Sequence, residues 1–303
     1  MRPVPDVVCL GLATADTIAV LPAWPGPDGR MLTDGFVRAG GGPAATAAVA
    51  IAALGSSVAL VAAIGDDGLG ETLRAELAAA GVDVDHVRVV PGRTAESVIL
   101  LDRSTASRTI LHAPGAVVGP LDGPARALSA AAAWVHVDHV GYSLAGDVER
   151  GRLSVDAGNP IDDLELDGLG LYAPTAAALE ARFPGRSPME GMRLALDEGA
   201  HRVAVTLAGA GAMAADASGA WRVLAHPVAV ASTLGAGDVF HGALVASLAG
   251  GISLPDALRR ANAAAALSCR SIDGRSAIPA SAELDAALAG TPPVEPILLE
   301  AGR

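Results

Sequence analysis

The sequence contains no lysine; its basic side chains are arginine and histidine only. That absence removes whole classes of chemistry, because a Walker-type P-loop needs its lysine and a Schiff-base mechanism needs a lysine amine. Cysteine is nearly absent as well. Cys9 and Cys269 lie near opposite ends of the chain, and two such residues supply neither a disulfide framework, a CxxC redox pair nor a four-cysteine zinc site. They read as small buried apolar residues in a protein of the reducing cytoplasm. No long apolar run opens the chain, since Asp6 and Asp16 interrupt it, so neither a signal peptide nor a membrane span is expected. Positive charge is scarce: the net charge is −12 and the pI is near 4.9. Such a surface repels phosphate backbones and argues against a nucleic-acid partner, while a small anion needs only a local positive field.

What is present is alanine, glycine and aliphatic side chains. Of 303 residues, 51% are hydrophobic, enough for one large domain spanning 1–303. Short apolar runs at 7–12, 58–63, 134–137, 153–157, 169–173 and 202–207 read as buried parallel strands. Helical stretches lie between them at 43–54, 70–80, 124–132 and 187–198. This alternation predicts an α/β fold, a doubly wound, mostly parallel sheet flanked by helices. Two regions break the rhythm. Residues 17–21 with 31–38, and 94–101 with 108–112, read as short strands joined by turns at 22–29 and 102–107. They predict a small antiparallel layer, about 17–38 and 94–112, acting as a lid over a site, as a dimer surface, or as both. The chain closes with helices at 235–248, 254–271 and 280–288, with Ser253 as an N-cap and Pro255 in the first turn of the second. The segment after Gly290 reads as loosely held.

The segment richest in chemistry is 231–244, Ala-Ser-Thr-Leu-Gly-Ala-Gly-Asp-Val-Phe-His-Gly-Ala-Leu. A strand-like run at 227–231 leads through small residues into a helix. Gly235, Ala236 and Gly237 would present backbone N–H groups where that helix begins, and those donors with the helix dipole make an anion site. Asp238 stands beside it. A carboxylate there repels an anion unless it has a task, and the natural one is to take a proton from an attacking hydroxyl while the N–H groups hold a transferred phosphoryl group. Simple stabilisation of the helix start is the other reading of Asp238.

This segment resembles the Asp-Thr-x-Gly-Ala-Gly-Asp signature of the ribokinase-like (PfkB) carbohydrate kinases. Residues 40–55, Gly-Gly-Gly-Pro-Ala-Ala-Thr-Ala-Ala-Val-Ala-Ile-Ala-Ala-Leu-Gly, resemble the family's N-terminal signature. Residues 261–268 followed by Gly274 and Pro279 resemble its C-terminal helix and adenine-pocket loop. The resemblance runs from Val7 to about Pro279. It implies the ribokinase-like fold with a β lid and a sugar site at Asp16, Gly41, Gly42 and Thr46, with His112 and His139 among the lining. It implies ATP near Thr206, Gly209, Gly211, Thr233 and Asn262, an anion hole at Gly235, Ala236 and Gly237, and Asp238 as base. Mg²⁺ would accompany the nucleotide, held mainly by phosphates and water, with no dedicated protein ligand set. A homodimer through the lid strands is a further family-level expectation. Physical reasons stand beside these assignments. A carboxylate at Asp16 accepts two sugar hydroxyls at once, though it could equally serve a turn. Asn262, alone on an alanine helix, needs a partner, which a backbone carbonyl would supply as well as a nucleotide.

The sequence departs from the family pattern at four places. Thr46 replaces a common Asn. Ser232 replaces the first Asp of the signature, which in ribokinase helps hold a monovalent cation, so a potassium requirement stays open. No Asn-x-x-Glu motif occurs near 175–178. Ala208 stands where a phosphate-contact glycine is usual. The wording of the two glycine-rich signatures is similar to the sulfofructose kinase branch, whose substrate sulfonate would need a cation. Arg30, Arg38, Arg93, Arg108 and His112 are the candidates. The expected substrate is therefore a ketohexose-like sugar or derivative, sulfofructose among them. The alternatives are a nucleoside kinase of the same superfamily or a sugar-binding sensor with weakened catalysis. Gly209-Ala-Gly-Ala-Met-Ala214 also fits a dinucleotide-binding pattern, but no acidic residue with a following strand lies at the required offset.

Overall fold

The computed structural model of the chain describes residues 3–33, 35–103 and 107–297. The first half runs β1 (Val7–Leu10), β2 (Thr14–Leu21), β3 (Phe36–Gly41), α1 (Pro43–Ala53), β4 (Val58–Gly65), α2 (Gly68–Ala79), β5 (Val87–Val90), β6 (Glu96–Asp102) and β7 (Ser107–Ala113). Then come α3 (Gly123–Ala131), β8 (Trp134–Val137), β9 (Leu153–Ala157), β10 (Leu171–Pro174), α4 (Ala176–Arg182), α5 (Pro188–Asp197) and β11 (Arg202–Thr206). The last part holds β12 (Ala212–Asp216), β13 (Gly219–Val223), α6 (Ala236–Ala249), α7 (Leu254–Ser268), α8 (Ser281–Leu288) and β14 (Glu295–Ile297).

Ten strands form the central sheet in the order β14-β13-β12-β11-β10-β9-β8-β1-β4-β5. From β5 to β11 neighbours are parallel; β12, β13 and β14 are added antiparallel. Alternation along β1 shows why its run is continuously apolar. Val7 and Cys9 face a core with α1, α6 and α7, while Val8 and Leu10 face one with α3, α4 and α5. Both faces are covered, as a parallel sheet requires. Alanine and glycine have a packing role here. A β-carbon on Gly242 of α6 would sit 2.5 Å from the Ala47 carbonyl of α1, so α1 and α6 meet at backbone distance and bury Ala44 to Ile51 completely or nearly so.

The second sheet has the order β3-β2-β6-β7. It is mixed, correcting the expected antiparallel layer: β2 and β6 run parallel, with β3, α1, β4, α2 and β5 between them in the chain. The strand expected from Met31 begins only at Phe36, and residues 104–106 of the expected turn lie outside the described residues. The run at 227–231 is irregular, with no strand beside it to complete its hydrogen bonds; Ala231 N–H donates instead to the Cys269 carbonyl at 2.8 Å. The segment after Gly290 is not loose up to Ile297, since β14 pairs with β13. Ser253 caps α7 as expected, its hydroxyl accepting from the Asp256 N–H. Among the described residues no helix is long and apolar enough to cross a membrane.

Candidate active site

A cleft of about 500 Å³ lies where the second sheet overhangs the carboxyl ends of the parallel strands, the place where α/β sheets bind ligands. Leu12 after β1, His139 after β8, Asp156 and Asn159 at the end of β9, and Thr175 after β10 all line it. So does the start of α6.

One end of the cleft is built by strand register. Asp16 on β2 pairs with Ser97 on β6, and Ser97 with His112 on β7, so the three stand in one row facing the cleft. Thr14 Oγ1 donates to Asp16 Oδ1 at 2.8 Å, and the Ser97 hydroxyl lies 3.3 Å from His112 Nδ1. Burial raises the Asp16 carboxyl above its ordinary value, against opposing hydrogen bonds from Thr14 and Ser97 and the Arg275 charge. Gly41 faces it: a β-carbon there would lie 2.0 Å from Asp16 Oδ2. Gly42 has φ +92° and would strike the Leu12 carbonyl, so only glycine makes this turn. Thr46 is buried and accepts from Arg275 Nε at 3.2 Å, while Arg275 Nη2 donates to the Gly41 carbonyl at 2.7 Å.

The other end is the start of α6. Its N-cap, Gly235, has φ +71° and no side chain to bond the first-turn amides. Gly235 packs on Gly274, leaving 2.8 Å for a β-carbon, whereas Gly237 faces open space. An uncapped helix start opening into a cleft fits an anion. Asp238 occupies the third helical position. Burial raises its carboxyl from the ordinary 3.8 to about 7, the Asp156 and Asp138 carboxylates adding to this and His241 and Arg275 opposing it. A carboxyl so placed exchanges a proton near neutrality. Arg108 spans the cleft from β7, donating to Thr233 Oγ1 at 2.8 Å.

The cleft thus gathers Asp16, Gly41, Gly42, Thr46, His112, His139, Thr233, Gly235, Gly237 and Asp238, with Ala236 behind them as the first residue of α6. It does not gather Thr206, Gly209, Gly211 or Asn262. Thr206 bridges to Thr175 at the cleft wall. Gly209 lies in the turn that follows, and Gly211 (φ +95°) packs against the Val223 carbonyl. The Asn262 amide donates to the Leu224 carbonyl at 2.9 Å, tying α7 to the end of β13. Thr175, where the Asn-x-x-Glu motif would begin, caps α4 by accepting from the Ala178 N–H. Among the described residues no group of three histidine, cysteine or acidic side chains is arranged around a metal position. Four residues emerge that sequence reasoning missed. Asp156, Asn159 and His241 line the cleft, and Arg275 braces the Gly41 turn. An aspartate closing an apolar strand, and a histidine one helical turn after Asp238, were the available signals.

Comparison with known proteins agrees with this fold. The model of the family described as pfkB family carbohydrate kinase matches residues 4–138 and 176–281. A ribokinase of Haemophilus influenzae is 24% identical over 90% of this chain and 95% of its own. A fructoselysine 6-kinase of Escherichia coli is 28% identical over 75% of this chain and 88% of its own. The structure of Arabidopsis thaliana ribokinase complexed with ribose and ATP superimposes with a TM-score of 0.82, at 23% identity, over 94% of this chain and 99% of that one.

Proposed function

The chain belongs to the pfkB family of carbohydrate kinases, and on that premise we propose that it transfers the γ-phosphoryl group of ATP to a hydroxyl of a ketohexose-like sugar or sugar derivative, with Asp238 as general base. The observation that carries this reading is the juxtaposition of an uncapped α6 start with a carboxyl raised to about 7. Asp16 accepts acceptor hydroxyls at the lid end of the cleft. Asp238 takes the proton of the hydroxyl that attacks the γ-phosphorus. As the new O–P bond forms, the bond to the ADP oxygen breaks, and of the expected donors Gly235, Ala236 and Gly237 the amides of Gly235 and Gly237 hold the charge that gathers on the phosphoryl oxygens, the Ala236 N–H donating instead to the Thr233 carbonyl at 3.3 Å. Bound with the nucleotide, Mg²⁺ would supply further neutralisation of that charge. That the Arabidopsis ribokinase of the same fold is complexed with ribose and ATP supports a sugar and a nucleotide as the two ligands.

Substrate choice belongs to the second sheet, which acts as the lid. Arg108 and His112 stand on its cleft face, and an anionic substituent such as the sulfonate of sulfofructose would meet them there. The opposite face of the lid is uncovered: Phe36 is 68% exposed, Leu111 54% and Val98 36%, and cross-strand register puts the three on one side. A second copy of the chain would cover them, giving the homodimer. A reducing cytoplasm suits Cys9 and Cys269, both free and buried.

ATP turnover against fructose, ribose, sulfofructose, phosphorylated ketohexoses, inositols and nucleosides, with Mg²⁺ and with or without potassium, tests the reading. Turnover of a ketohexose or its derivative, lost by ~10²-fold or more in Asp238→Asn, is the expected result. Preference for a nucleoside, or ATP binding with no turnover of any acceptor, would replace it with a nucleoside kinase or a sensor.

A further inference from the structure

Resting on Asp238 as the base, we propose that the buried His241–Asp156 pair is a positioning device for it, holding the base's surroundings in register and governing when its carboxylate is free to take a proton. His241 follows Asp238 by three residues on α6, so both lie on one helical face and both line the cleft. Its Nδ1 is 3.1 Å from Asp156 Oδ2, with side-chain exposures of only 3% and 6%. The other Asp156 oxygen accepts the Gly158 N–H at 2.9 Å, which turns Oδ2 toward the imidazole. A carboxylate this buried persists only against a positive partner.

Charged and titratable groups come to this pair from several elements, none of them from the apolar α1. From β9 comes Asp156, from β8 His136, from the turn after β8 Asp138, from α6 Asp238 itself, and from the segment after α7 Arg275. Three carboxyls thus converge, and the imidazole of His241 stands among them, drawn toward its charged form. Burial presses His241 down, but the Asp156 carboxylate 3.1 Å away, with Asp238 adding to it, outweighs this, so the imidazole ends above its ordinary value. Burial likewise pushes Asp156 up, and His241 more than reverses this, taking it to about 2. His136 has its ring centroid 5.9 Å from that of His241. It is instead pushed down to about 3 by burial and the His241 charge, and its Nδ1 shares a 3.0 Å hydrogen bond with the Ser154 hydroxyl. The two histidines are thus driven apart, His241 toward the charged form and His136 toward the neutral one. Removing that charge leaves Asp238 facing Asp156 and Asp138 with Arg275 alone in opposition, so its carboxyl holds its proton to higher pH.

The test pairs kinetics with imidazole ¹⁵N NMR. In His241→Gln the acidic limb of kcat/KM is expected to move up by about one pH unit, a roughly tenfold loss below the limb with a smaller loss on the plateau. In the ligand-free wild type, the His241 imidazole, assigned by its loss in that variant, should remain an imidazolium at pH 7. In Asp156→Asn it should lose its proton at lower pH. An equal loss of rate at every pH, or a neutral His241 imidazole at pH 6.5 in the wild type, overturns the proposal; the second readout needs no active variant. Asp238→Asn, assayed alongside, separates the two ideas. Retained turnover there refutes the base itself. Lost turnover with an unmoved limb in His241→Gln refutes the positioning pair alone.

Discussion

Replacing Asp238 by asparagine should make the ligand-free protein more stable, and only at the higher pH. The carboxyl titrates near 3.8 when exposed and near 7 in the folded protein. A group raised on folding gives stability that is complete below its unfolded value and lost as pH rises through the folded one. The wild type therefore loses stability between pH 3.8 and about 7, while an asparagine at 238 does not. A shift of about three units corresponds to a ceiling of about 4 kcal/mol. Cleft water reaches Asp238, which is only half-buried, and roughly halving the ceiling for that access leaves about 2 kcal/mol. Urea unfolding of both proteins without ligands should show nearly equal stability at pH 4 and a gap of about 2 kcal/mol in favour of Asp238→Asn at pH 8. Other titrating groups are common to both chains, so they largely cancel in the comparison. A gap that stays constant across this range, or one that closes toward pH 8, would refute the claim that burial and neighbouring carboxylates strain this side chain.

Gly41→Ala forces the Asp16 carboxylate away from a β-carbon that would lie 2.0 Å from it; the loss of a charged hydrogen bond should raise KM for the acceptor about 10- to 100-fold with a smaller change in kcat, measured by steady-state kinetics, and an unchanged KM would remove Asp16 from the acceptor site. Ala208 holds φ +49° where glycine is at ease, so Ala208→Gly should relieve about 1 kcal/mol of backbone strain, read as a raised urea midpoint, whereas a lowered midpoint would mean that the turn tolerates alanine freely.

Legibility in the sequence followed the strength of local signals. β8 and β9 were readable to the residue because their aliphatic runs are bounded by polar or turn-forming segments. β12 was not, since Ala-Met-Ala-Ala-Asp carries no β-branched residue and becomes a strand by pairing with β11 and β13. The run at 227–231 carries the opposite signal, valines without a neighbouring strand. The direction of β6 beside β2 depends on a crossover through β3, α1, β4, α2 and β5, which no window of sequence contains. In the site, Asp238 and the glycines before it were legible because a helix start leaves few uses for such residues. Asp156, His241 and Arg275 were not, because their roles exist only through partners remote in the chain: His241 meets Asp156, and Arg275 meets Gly41 and Thr46. Asn262 shows the converse. Its isolation on an alanine helix signalled a partner correctly, and that partner is the Leu224 carbonyl.

The close approach of α1 and α6 reaches beyond packing. α1 begins beside Gly42 at the acceptor end of the cleft, and α6 begins at the anion-binding end. With Gly242 against Ala47, the two helices behave as a fixed gauge between the ends, its length set inside the core. A side chain added at that crossing would push the helices apart and lengthen the gap between acceptor and donor without touching either. On the function proposed above, a change of acceptor would fall to lid residues such as Arg108 and His112, while the distance over which the phosphoryl group travels would stay constant.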